Sequence, residues 1–84
     1  MNRTKRIQDI IEKNFNEFSV SVTDDSLAHK DHNSFDGKKE THIIIELKKK
    51  FNLDIKRLEI HKKINTILSE EFKTGLHALQ IKIT

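Results

Sequence analysis

The sequence predicts a small α+β domain with its elements in the order α, β, β, α, β, forming a three-stranded mixed sheet with helices on one face. Two observations carry this reading, and a third bounds it. Apolar residues recur at helical spacing in two stretches and alternate with polar ones in three others. No proline, repeat or Gly/Ser-rich linker divides the chain. At 84 residues there is room for a single domain over residues 1–84 with a small core, one that buries only about 60–65% of the surface exposed by the unfolded chain.

The first helix is expected from Arg3 to Phe15, where Ile7, Ile10, Ile11 and Phe15 share one face and charges occupy the other. Phe18, Val20 and Val22 then alternate with Ser19, Ser21 and Thr23, the period of a strand with one buried face, ending near Asp24. From Asp24 to Glu40 neither period holds, and Asp, Ser, Asn and Gly accumulate. This is expected to be a long loop, mobile over Leu27 to Lys39, of a length usually tied to function or disorder. A second strand is expected from Thr41 to Leu47, closed by Lys48, Lys49 and Lys50.

Asp54 is placed to cap a helix running to about Glu71, with Ile60, Ile64, Ile67 and Leu68 as its apolar arc. Gly75 stands where that helix must turn, and Leu79, Ile81 and Ile83 alternate in a last strand. Two strands joined by a loop pair antiparallel, while return through the long helix is a crossover that brings the last strand into the same sheet.

Composition removes several function classes. The longest apolar run is Ile43 to Ile45, far short of the roughly 20 residues of a membrane-spanning helix. The N-terminal stretch lacks a signal-peptide core, so a cytoplasmic protein without membrane attachment is expected. Cysteine is absent, which leaves five histidines and the carboxylates as metal donors. The two glycines, Gly37 and Gly75, stand far apart and form no phosphate-binding or dinucleotide loop. Ser26, His29 and Asp31 lie close in sequence, with nothing to suggest an oxyanion hole, so hydrolase chemistry is not expected. The net charge of +3 comes from 16 Lys and Arg against 13 Asp and Glu, and permits nucleic-acid binding without requiring it.

The histidines set this chain apart from a generic α+β domain. His29 and His32, three apart in the loop, are able to offer two imidazoles to one metal if the loop turns there; otherwise they are solvated loop residues. His42 opens the second strand on the face opposite Ile43 and Ile45, as an exposed or partly packed residue. His61 falls at the edge of the helix's apolar arc, where a half-buried structural role is expected. His77 is in phase with Leu79, Ile81 and Ile83, where the apolar face meets solvent, and such a strand mouth holds a ligand rigidly. Lys56, Arg57, Lys62 and Lys63 on the long helix are able to contact phosphates, although a charged outer face is ordinary for an amphipathic helix.

Four segments in order resemble the BolA family. The run from Val22 to His32 is similar to that family's strand end in Asp or Glu followed by Ser and then His. Glu40 to Ile45 resembles its Ser or Thr and His at the head of an apolar strand. His61, between Ile60 and Lys62, stands in the place of its Arg-His-Arg, and Gly75 to Ile81 is similar to its closing Val-His-Ala-Leu. Phe51, Asn52 and Leu53 stand where the family has Phe-x-Gly.

The resemblance implies a class II KH-like fold and a non-enzymatic iron-sulfur accessory protein, monomeric alone, that partners a monothiol glutaredoxin. It implies a 2Fe-2S cluster shared with the glutaredoxin and glutathione, for cluster trafficking or iron sensing. The chain's ligands would be His77 and a loop histidine, His32 or His29, with His42 a less favoured stand-in. Two imidazoles here and thiolates from the partner would give mixed His and Cys ligation of the Rieske-like kind. The alternative is a DNA- or RNA-binding transcriptional regulator using Lys56, Arg57, Lys62 and Lys63, although the Gly-x-x-Gly loop with which KH domains grip backbone is missing.

Overall fold

The computed structural model describes residues 2–25 and 41–84. Helix α1 (Arg3–Asn14) starts at Asn2, whose side chain accepts a hydrogen bond from the Lys5 N–H at 2.8 Å, satisfying one of the donors a helix start leaves open. Strands β1 (Phe18–Asp24) and β2 (His42–Lys49) pair antiparallel, and β2 pairs parallel with β3 (Ala78–Ile83), so that β2 is central. Between them stand α2 (Arg57–Ile67) and the short α3 (Ser69–Lys73). The expected α+β architecture with a three-stranded mixed sheet is therefore present.

Side-chain alternation decides the layers. Ile43, Ile45 and Leu47 of β2 face one side and are buried, while Glu46 and Lys48 face the other and are exposed. Their neighbours in register, Val22 and Val20 on β1 and Leu79, Ile81 and Ile83 on β3, extend the same apolar face. Ile7 and Ile11 of α1 and Ile64 of α2 close over it, joined by Leu68 and by Phe15 and Phe18, whose rings meet edge to face at 6.3 Å. Ser19, Ser21 and Thr23 lie on the opposite, exposed face.

Three boundaries differ from expectation. Asp54 does not cap the long helix: residues 52–56 are irregular, the N-cap position falls to Lys56, and no side chain bonds there. Leu53 and Ile55 are half-buried against the core while Asp54 between them is exposed. This alternation requires extended backbone, and burial of two apolar side chains outweighs a cap contributing about 1 kcal/mol. The helix also breaks at Leu68 (φ −100°, ψ 13°) instead of running unbroken to Glu71, through a tightened turn in which the Glu71 N–H donates to the Leu68 carbonyl at 3.0 Å. Strand β2 continues to Lys49, because Lys49 pairs with Phe18 and its N–H donates to the Thr84 carbonyl at 3.1 Å.

Candidate metal-binding corner

The starts of β2 and β3 lie side by side because these strands are parallel, and a histidine stands at each. Thr41, 4% exposed, organises both. Its carbonyl accepts from the N–H of His77 at 2.8 Å and of Ala78 at 3.1 Å, and its hydroxyl lies 3.0 Å from His42 Nδ1. The His42 and His77 rings come together, centroids 6.1 Å apart and planes at 77°. His77 is exposed and His42 half-buried. A shallow groove of about 160 Å³ runs past His42, bounded by Asp25, Ile43, Ile44, Ala78, Leu79 and Gln80.

The connection that carries His29 and His32 leaves β1 at Asp25 and re-enters at Thr41, and the Asp25 N–H donates to the His42 carbonyl at 2.7 Å. His29, His32 and the expected mobility of Leu27 to Lys39 lie outside the described residues. Among the described residues no three His, Asp or Glu side chains converge as a complete metal site. A metal ion at this corner would therefore need donors beyond His42 and His77.

His61 sits on α2, half-buried as its spacing implies. Its half-buried position was legible in the helical period, whereas the pairing of His42 with His77 was not. The signal that locates His42 beside His77 is topological: each histidine immediately precedes or opens a strand, and a crossover helix makes those two strands parallel.

The four cations of α2 and its cap are not equivalent. The Arg57 guanidinium donates to the Ile83 carbonyl at 2.8 Å, tying the first turn of α2 to the end of β3. Lys63 lies 4.9 Å from the centre of the Phe15 ring, a cation–π distance. Lys56 and Lys62 are exposed. Lys56 and Lys63 line a larger groove of about 490 Å³ with Phe15, Leu53 and Ile60, but Glu17, Asp54 and Glu59 share it. Its charge is mixed, unlike that of a phosphate channel.

A second polar constellation joins the two ends of the sequence. Glu71, 7% exposed, accepts from Arg3 Nε at 2.9 Å and from Arg6 Nη2 and Nε at 2.9 and 3.0 Å. The Arg6 hydrogen bonds, reinforced by those of Arg3 and by both positive charges, outweigh burial and hold its carboxyl below the usual range. Sequence spacing gave no sign of this clamp, whose partners are 65 and 68 positions apart.

An open three-stranded sheet backed by helices, with paired histidines at the mouth of its parallel strands, defines a small α+β domain. Residues 11–84 match the BolA-like protein family, and the chain belongs to that family. Two solved structures are similar over the whole chain. The BolA domain of SufE1 from Arabidopsis thaliana shares 28% identity with a TM-score of 0.79, the match covering 100% of this chain and 92% of that one. BolA1 from Arabidopsis thaliana also shares 28% identity, with a TM-score of 0.77 and the same coverages, 100% and 92%. No curated protein matches the sequence.

Proposed function

We propose that this BolA-like protein is a non-enzymatic accessory of iron-sulfur metabolism that binds a monothiol glutaredoxin and shares a 2Fe-2S cluster with it. The observation that carries the reading is His77. It is an exposed imidazole whose backbone is fixed by the buried Thr41, at the corner where the His29 and His32 segment begins and ends. Rigid backbone with a solvent-facing donor is what a shared ligand position requires.

His77 would supply one imidazole and His32 or His29 the other, while thiolates come from glutaredoxin and glutathione. The donor chemistry fits: with no cysteine, this chain has no thiolate to give, and imidazole is accepted by iron in mixed His and Cys clusters. The cluster would supply an electron-accepting, transferable iron-sulfur unit, and the chain's part is to bind and orient it. A cytoplasmic setting and a monomeric state before complex formation belong to the same proposal. Among the described residues no helix is long and apolar enough to cross a membrane.

The test is anaerobic mixing with a monothiol glutaredoxin, iron, sulfide and glutathione. A co-eluting heterodimer with visible circular-dichroism bands distinct from those of the glutaredoxin alone is expected. Unchanged spectra without co-elution would sink the reading. Nucleic-acid regulation is the weaker proposal, since Arg57 is engaged by Ile83 and acidic residues interrupt the groove beside Lys56 and Lys63. A salt titration against random duplex separates the two, because binding through several phosphates weakens steeply as salt rises.

A further inference from the structure

We infer that His42 and His77 together form a two-imidazole site for a single late first-row divalent ion, such as Zn²⁺, in the isolated chain. The inference shares His77 with the proposed cluster role but does not require the glutaredoxin or the cluster.

The ring geometry is close to what a shared ion needs. Imidazole nitrogens bind zinc at about 2.0–2.1 Å, so two rings on one tetrahedral ion have centroids about 5 Å apart. The observed separation is 6.1 Å. Closing the difference takes a movement of about 1 Å, within reach of an exposed side chain such as His77 by small torsional adjustment.

The surroundings support the pair as ligands. The Thr41 hydroxyl at His42 Nδ1 is the kind of outer partner that orients a metal-binding histidine, and with Nδ1 so engaged Nε2 is the nitrogen that would coordinate. The same Thr41 fixes the His77 backbone through its carbonyl, so one buried residue sets both donors. Among the described residues, Asp25 lines the groove beside His42. Paired imidazoles without thiolate select copper, nickel or zinc over magnesium or manganese. Zinc held there occupies His77, so it competes with entry of the chain into the cluster-sharing complex.

The experiment is titration of the isolated full chain with Zn²⁺, followed by amide and imidazole NMR signals, with Mg²⁺ as control. Shifts confined to Asp25, Thr41, His42, His77 and their strand neighbours are expected with Zn²⁺ and not with Mg²⁺. His42→Ala and His77→Ala should each weaken zinc binding at least tenfold. Thr41→Val, which keeps the side chain's shape and removes the hydroxyl, should weaken it several-fold, and retained strand signals report that each variant is folded. His61→Ala and the double variant His29→Ala/His32→Ala should bind zinc like the parent. No shift at the corner, unaltered affinity in folded His42→Ala, or loss of binding in the loop double variant would overturn the site. A chain that assembles the cluster with glutaredoxin yet ignores zinc fails this inference alone. One that binds zinc through His42 and His77 yet forms no cluster complex fails only the functional reading.

Discussion

Glu71 shows how much one residue can hold in a core this small. Its carboxylate receives both N-terminal arginines and locks α1 onto α3. Glu71→Gln leaves the largely buried Arg3 and the more exposed Arg6 without their counter-charge, and is expected to cost about 1.5–3 kcal/mol. In a domain of this size that lowers Tm by about 6 °C or more, measured by thermal circular dichroism. The pH dependence has a definite sign. The folded-state pKa lies below the ordinary 4.5, so the clamp's contribution is complete above that value and lost as pH falls through the depressed one. Urea midpoints should therefore hold steady from neutrality down to about pH 5 and fall below it, and this acid-side loss should be smaller in Glu71→Gln. Gly75 is the second such residue. Its φ of 127° lies in the region that L side chains avoid, and a Cβ there would sit 3.4 Å from the Arg3 guanidinium nitrogens that serve this clamp. Gly75→Ala is expected to destabilise by about 1–2 kcal/mol, checked by chemical denaturation.

At the scale of elements, the two edges of the sheet are treated differently. On β1 the Gln8 amide donates to the Val20 carbonyl at 2.8 Å and accepts from the Val22 N–H at 3.1 Å, so a helix side chain plugs the strand's outer backbone. Gln8→Ala should lose about 1–2 kcal/mol and accelerate amide exchange at Val22 far more than at Ile45 in the central strand. On the other side, Arg57 anchors α2 to the end of β3, which explains why the helix begins at that residue in the absence of a side-chain cap. The delayed start also places Phe51 and Leu58 in solvent at 58% and 67% exposure while Leu53 and Ile55 turn inward. The interruption at Leu68 serves packing in the same way: Leu68 is fully buried and Glu71, one short turn later, reaches the arginines of α1.

Across the whole molecule, the proposed function assigns stability and cluster binding to different histidines. His61 packs at the edge of the α2 arc, so His61→Ala should lower Tm while leaving cluster assembly with glutaredoxin intact. His77 is exposed, so His77→Ala should abolish the heterodimer's visible spectrum at little cost in stability. Parallel melting curves and absorption spectra of the two variants test this division, and the reverse pattern would refute it.

The sequence by itself determined the period of each element, the apolar face of each strand, the absence of thiolate chemistry and the position of His77 at a strand mouth. Those are local properties: side-chain spacing of 3.6 or 2 residues and residue type are written along the chain. The start of α2, the break at Leu68, the Arg3–Arg6–Glu71 clamp and the meeting of His42 with His77 were decided by tertiary structure alone. Asp54 was a sound local cap that lost to the burial of Leu53 and Ile55, because core packing outweighs a single capping hydrogen bond. His42 and His77, 35 positions apart, became neighbours because the parallel pairing of β2 and β3 sets their first residues side by side.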